Sequence, residues 1–205
     1  ADLASRVVWL DSLPAEPMRG VVLANEVLDA LPFQRFALHE EDMLEIGVGV
    51  SDEGPFIEVL RSADQTLREA LIATLPELLP DGYRSEICLR VHPWIASLAA
   101  ALDHGVMLLF DYGLPRAHYY HPQRDRGTLR CHFRHRAHED PLINVGMQDI
   151  TAWVDFTRVA DAALAAGLEV PGFSTQAAFL LASGIDKLIE TAPDDVERAR
   201  RASEA

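Results

Sequence analysis

Two continuous apolar runs, Val21-Val22-Leu23-Ala24 and Val106-Met107-Leu108-Leu109-Phe110, break off directly into polar tips, Asn25-Glu26 after the first and Asp111-Tyr112-Gly113 after the second. Runs of this length without alternation are the pattern of parallel strands covered on both faces. Parallel strands need crossover connections, and helical spacing precedes the second run: Pro93 at a favourable first-turn position, then Trp94, Ile95, Leu98 and Leu102, with a stop expected at Gly105. The expected fold class is α/β. Ligands of open α/β sheets bind beyond the carboxyl ends of the strands, which makes Asn25, Glu26 and Asp111 candidate site residues. Neighbouring tips bearing Glu26 and Asp111 would suit a guanidinium, which paired carboxylates bind through bidentate hydrogen bonds. The plainer alternatives are that Asn25 or Asp29 caps a helix and that Asp111 opens a turn before Gly113.

Around these runs the chain reads as follows. Val7 to Leu10, bounded by Asp11, is a third apolar run and an expected strand. The sequence opens at Ala1 without Met and reaches this run quickly, as expected of a truncated or processed chain. Alternation over Phe33 to Arg61, punctuated by Gly54-Pro55, predicts an antiparallel meander. Ala63 to Leu79 has helical spacing, limited by Pro76 and Pro80. Leu114 to Arg126 is expected to be a long functional loop, Thr128 to Phe133 a strand, and Arg134 to Met147 a loop. Asp155 is the expected N-cap of a helix ending at Gly167. Leu168 to Val170 reads as a late strand, Gln176 to Ala182 as a short helix, and Asp194 onward as a charged helix. The expected organisation is a core from 1–32 and 105–190, an insertion of meander and helices from 33–104, and a charged tail from 191–205.

Composition removes several functions. With 32 acidic and 18 basic residues the formal charge is -14, which repels a phosphate backbone and argues against nucleic acid as a partner. No apolar run reaches the roughly 18 residues of a membrane span. The two cysteines, Cys88 and Cys131, lack CxxC spacing and suit a reducing compartment, here read as the cytoplasm. His118, His121, His132, His135 and His138 fall in one 21-residue window, with Glu139 and Asp140 adjacent. Such spacing admits a divalent metal and a hydrolytic function, a proton-transfer role for one imidazole, or histidines that are simply exposed. No HExxH pattern accompanies them, so no metal ligand is assigned.

Taken in order, the motifs carry a resemblance. Trp9-Leu10-Asp11-Ser12-Leu13, then Ala24-Asn25-Glu26-Val27-Leu28-Asp29-Ala30-Leu31-Pro32, then Asp111-Tyr112-Gly113, resemble the MidA-like S-adenosylmethionine-dependent methyltransferases. So do Tyr119-Tyr120-His121-Pro122, Gly127-Thr128-Leu129-Arg130-Cys131-His132, His138-Glu139-Asp140-Pro141, Gly146 through Phe156, and Thr175-Gln176 with Phe179-Leu180-Leu181.

The resemblance implies a class I, Rossmann-like methyltransferase fold. Its doubly wound sheet would carry an inserted antiparallel meander and lack the N-terminal strands. It implies S-adenosylmethionine as cofactor, with Asp11 and Ser12 beside the adenine and Asn25 and Glu26 at the methyl-donor end. Glu26 and Asp29 would grip a protein arginine, Asp111 or Tyr112 would complete the pocket, and His135 would accept a proton. By kinship the acceptor would be a subunit of respiratory complex I. The family's glycine-rich cofactor loop has no counterpart in these 205 residues, so weak cofactor binding is expected of them. Strands left without their family neighbours would also favour homo-oligomers. The alternative on the same scaffold is a non-catalytic assembly protein.

Overall fold

The computed structural model describes residues 3–191 and 194–204. Residues 1–2, 192–193 and 205, at the ends of expected segments, lie outside the described residues. The two apolar runs form neighbouring parallel strands, β1 (Met18–Asn25) and β6 (Leu102–Phe110), in register from Arg19 opposite His104 to Asn25 opposite Phe110. Between them in sequence stand β2 (Gln34–His39), β3 (Asp42–Val50), β4 (Phe56–Ser62), α1 (Gln65–Thr74), β5 (Arg84–Ile87) and α2 (Val91–Ala100). The predicted meander is present, and β5 joins it to give an antiparallel sheet of order β4-β3-β2-β5. Beyond β6 come β7 (Gly113–Leu114), α3 (Arg116–Tyr119), β8 (Arg130–Phe133), β9 (Arg136–His138), β10 (Asp149–Thr151), β11 (Val154–Asp155) and α4 (Phe156–Ala165). Strands β10, β8 and β9 make a small antiparallel sheet, and β11 pairs in parallel with β7.

Burial explains the helices. Asp64 caps α1 by accepting from the Leu67 N–H at 2.8 Å, and the i, i+4 pair Leu67 and Leu71 is fully buried. These two join Phe36, Tyr83, Ile87, Tyr119 and Tyr120 in one core beneath the antiparallel sheet. Each leucine contributes about 2 kcal/mol by leaving water. A second core, of Leu28, Val91, Ile95, Val154, Val159 and Ala162, packs α2 and α4 together. As expected, Asp155 caps α4, accepting from Thr157 and Arg158 N–H at 3.0 and 3.1 Å.

Several sequence expectations are corrected. The strands β1 and β6 pair in parallel as expected but are not covered on both faces: Val21, Leu23 and Val106 are exposed, because among the described residues the pair is a sheet of only two strands. Val7 to Leu10 forms no strand; the run follows a short 3-10 turn at Ala4–Arg6, and Trp9 is 92% exposed. Apolar character makes a strand only where another strand supplies hydrogen bonds, and none among the described residues pairs there. Leu168 to Val170 is irregular for the same reason. The helix expected over 63–79 stops at Thr74, with Pro76 two residues on. Gly105 does not end a helix: α2 stops at Ala100, and Gly105 lies within β6 opposite Gly20. The loop over 114–126 contains α3, and that over 134–147 contains β9.

The chain divides into two compact units, Ala1–Glu169 and Val170–Ala205. The second holds α5 (Gln176–Ala182), α6 (Ile185–Glu190) and the charged α7 (Asp195–Glu204). Thr175 caps α5 by accepting from Ala178 N–H at 3.2 Å. Among the described residues no helix is long and apolar enough to cross a membrane.

Gly105 is where the parallel pair tolerates no side chain, because a Cβ there would lie 1.9 Å from the Gly20 carbonyl oxygen. A Cβ on Gly20 would meet nothing within 4 Å. Gly105→Ala should therefore lower unfolding free energy by about 2–4 kcal/mol, and Gly20→Ala by less than about 1 kcal/mol, in urea titrations followed by circular dichroism.

Candidate active site

The β1 and β6 pairing runs one residue past the strands, because Glu26 N–H donates to the Phe110 carbonyl at 2.9 Å. Glu26 then takes a left-handed backbone, φ 51°, which is uncommon for a residue with a side chain and needs its surroundings to hold it. The holding group is Asp111. Its Oδ2 accepts from the N–H groups of Val27, Leu28 and Asp29 at 3.2, 2.8 and 3.3 Å, and its Oδ1 accepts from Tyr112 N–H at 2.9 Å. The carboxylate of one strand tip thus closes the turn that leaves the other. Burial raises the Asp111 carboxyl above the usual carboxylate range, and the four N–H donors oppose that rise.

Glu26 and Tyr112 meet at the surface, where the Tyr112 hydroxyl donates to Glu26 Oε1 at 2.8 Å. That bond raises the Tyr112 hydroxyl above its ordinary range. Asp29 lies just beneath, 8% exposed, with Oδ1 lacking a hydrogen-bond partner. Burial, then the charges of Asp111 and Glu26, push its carboxyl upward. Asp29 also borders an internal cavity with Leu28, Glu86, Trp153, Asp155 and Arg158. Gly113 lets this wall close: a Cβ there would lie 2.2 Å from the Val154 carbonyl and 2.8 Å from the Phe156 ring. Val154 N–H accordingly reaches the Tyr112 carbonyl at 2.8 Å.

Four of the sequence-derived residues, Glu26, Asp29, Asp111 and Tyr112, therefore stand together. Asn25 is the exposed last residue of β1. Asp11 and Ser12 sit on an exposed irregular segment. Among the described residues no hydrogen bond or ion pair ties the side chains of Asp11, Ser12 or Asn25 to the cluster. His135 occupies the tip of the β8–β9 hairpin, where Arg134 and His135 both have positive φ, the two-residue turn that matches strand twist. The five histidines spread over α3, a turn, β8, the hairpin tip and β9. Among the described residues no group of three or more His, Cys, Asp or Glu could hold a metal ion, so the metal-hydrolase alternative finds no support.

Sequence reasoning missed Glu86, a fully buried carboxylate on the cavity wall. Its Oε2 accepts from Thr128 N–H and Oγ1 at 2.8 and 3.2 Å, and burial raises its carboxyl. The signal was the strand Arg84-Ser85-Glu86-Ile87, whose inward residues are polar and do not alternate visibly.

The Asp111 clamp yields a prediction. Asp111→Ala leaves four amide donors, those of Val27, Leu28, Asp29 and Tyr112, without their acceptor and should destabilise the chain by about 2–4 kcal/mol. Tyr112→Phe removes only an exposed bond and should change stability by less than about 0.5 kcal/mol in the same denaturant titration.

Comparison with known proteins places the chain in a family. The family model described as "Putative S-adenosyl-L-methionine-dependent methyltransferase" matches residues 1–174. The chain is 30% identical over 191 residues to "Protein arginine methyltransferase NDUFAF7, mitochondrial" of Danio rerio, covering 90% of this chain and 42% of that protein. It is 30% identical over 143 residues to the Drosophila melanogaster homolog, covering 68% of this chain and 31% of that protein. A COG1565 superfamily member from Burkholderia thailandensis, solved bound to S-adenosyl-homocysteine, superposes with a TM-score of 0.89 at 39% identity. That match covers 97% of this chain and 52% of that one. The chain thus spans less than half the length of the curated relatives it matches. Its α/β architecture is that of a class I methyltransferase, and with 174 residues under the family model the chain belongs to the MidA-like S-adenosylmethionine-dependent methyltransferase family.

Proposed function

We propose that these residues form the acceptor side of an S-adenosylmethionine-dependent methyltransferase that modifies protein arginine. The observation that carries the reading is the carboxylate pair at the strand tips: Glu26, aligned by the Tyr112 hydroxyl, above Asp29, buried with an oxygen unpaired. S-adenosylmethionine, when bound, supplies a methyl group on an already activated sulfonium, so the protein's task is orientation and exclusion of water. Two carboxylates accepting N–H bonds from a guanidinium draw its charge toward themselves and leave a lone pair on the attacking nitrogen. Asp29, short of a hydrogen-bond donor, has the most to gain from such a partner. Asp111 acts on the reaction only through the turn it holds. After transfer the methylated nitrogen sheds a proton, which the exposed Glu26 passes to solvent.

Asn25, at the end of β1, belongs to the donor side, with Asp11 and Ser12 assigned to the adenine by kinship alone. The relatives named protein arginine methyltransferases support arginine as the acceptor, and the same kinship extends it to a subunit of respiratory complex I. Two cysteines free of disulfides fit a bacterial cytoplasm as the place of action.

The test uses the product of the complete reading frame. Glu26→Gln should lower turnover of an arginine peptide by about 100-fold, with calorimetric affinity for S-adenosyl-homocysteine changed less than about threefold. Equal losses in turnover and affinity would contradict the acceptor-side role.

A further inference from the structure

The strand tips are acidic, yet the antiparallel sheet and the segment that crosses its edge enclose an open groove of the opposite sign. Its walls carry Arg35, Arg84, Arg124, Arg126 and Arg130. They are five of the chain's 18 Arg and Lys, set against Glu58, Asp125 and Glu139, three of its 32 Asp and Glu. Five arginines against three carboxylates leave the groove two charges positive with His118 and His121 neutral, in a chain whose total is -14. The groove shares no lining residue with the Glu26, Asp29, Asp111 and Tyr112 cluster.

Four of the five cations are held in place by their side chains. Glu58 accepts from both Arg35 and Arg84, so one carboxylate fixes two guanidinium groups and neutralises half their charge. Arg130 pairs with Glu139. Arg84 N–H donates to the Asp125 carbonyl at 2.9 Å, and Arg84 bridges to Arg126, which ties the Asp125-Arg126 backbone to the edge at β5. Arg124 lies 5.0 Å over the Trp153 ring and donates from Nε to the His118 carbonyl at 3.4 Å. Among the described residues neither Arg124 nor Arg126 makes an ion pair. Arg124, ordered over Trp153, and the exposed Arg126, whose backbone is fixed at the β5 edge, stand without an ion-paired carboxylate beside two guanidinium groups that share one.

We propose that this groove binds an acidic segment of a protein partner. The guanidinium fork matches a carboxylate bidentately, and the forks already ordered by Glu58 and Trp153 lose little freedom on binding. The three carboxylates interrupt the cations, which suits separated carboxylates better than the unbroken charge of a phosphate backbone, so a nucleic acid is the poorer fit. A peptide that mixes acidic with neutral residues suits a wall in which Leu114 interrupts the charges. The inference stands apart from the methyl-transfer reading, since it uses none of those residues.

The 205-residue chain is titrated calorimetrically at low salt with a peptide that alternates glutamate with alanine and, separately, with a six-nucleotide single-stranded DNA. Saturable binding of the glutamate-alanine peptide is expected, weakened at least about tenfold by Arg124→Glu or Arg126→Glu and progressively by added salt. Arg126→Gln, with half the charge change at an exposed position, should give an intermediate loss. Arg19→Glu, an equal charge change at an exposed position on β1 that does not line the groove, should leave affinity within about twofold. Absence of binding at millimolar peptide, equal effects of Arg19→Glu and Arg126→Glu, or tighter binding of the oligonucleotide would each overturn the proposal.

Discussion

A single carboxylate oxygen, Asp111 Oδ2, receives the backbone N–H groups of three consecutive residues that are more than 80 positions away in sequence. Hydrogen bonds to a charged acceptor contribute about 1.5–3 kcal/mol each when isolated, and somewhat less when three share one oxygen. Their geometric effect is larger than their energy. They fix the turn that follows β1, and with it the left-handed backbone at Glu26 and the buried position of Asp29. Remove the acceptor and the site residues lose their common frame, although the strands that bear them remain.

The parallel pair supplies the other half of that frame. Gly105 allows β6 to approach β1, and Gly113 allows β11 to close beneath Tyr112. What emerges is a wall with one exposed carboxylate aligned by a tyrosine and one buried carboxylate without a donor. Burial beside two other acids raises Asp29, so a cationic partner would relieve both an electrostatic and a hydrogen-bonding deficit. The arginine-rich groove elsewhere on the same unit gives the chain two surfaces of opposite character, which its net charge of -14 conceals.

Features encoded locally were legible in the sequence. Val21 to Ala24 and Val106 to Phe110 read as strands because their apolar runs are unbroken, although Val21, Leu23 and Val106 are exposed rather than covered, and Asp155 read as a cap because it precedes a helical period. Features that depend on a distant partner were not. Val7 to Leu10 has the composition of a strand but no neighbour among the described residues, whereas β7 and β11, two residues each, are strands only because they meet each other. The acidic residues of the site could be named from their positions at strand tips. That Asp111 is occupied with backbone amides while Asp29 keeps an oxygen unpaired follows from contacts across the fold, to which residue type gives no clue. Glu86 was overlooked because its burial is set by Thr128 and Tyr120, far along the chain.

The central claim is that Asp111 locks the turn carrying Glu26 and Asp29, and amide hydrogen exchange reads that lock directly. The account predicts that the Val27, Leu28 and Asp29 amides exchange as slowly as those of Leu108 and Leu109 within β6, and that Asp111→Ala accelerates the three selectively. Exchange of these amides at the rate of the exposed Gly54 turn, or no selective change in the variant, would contradict it.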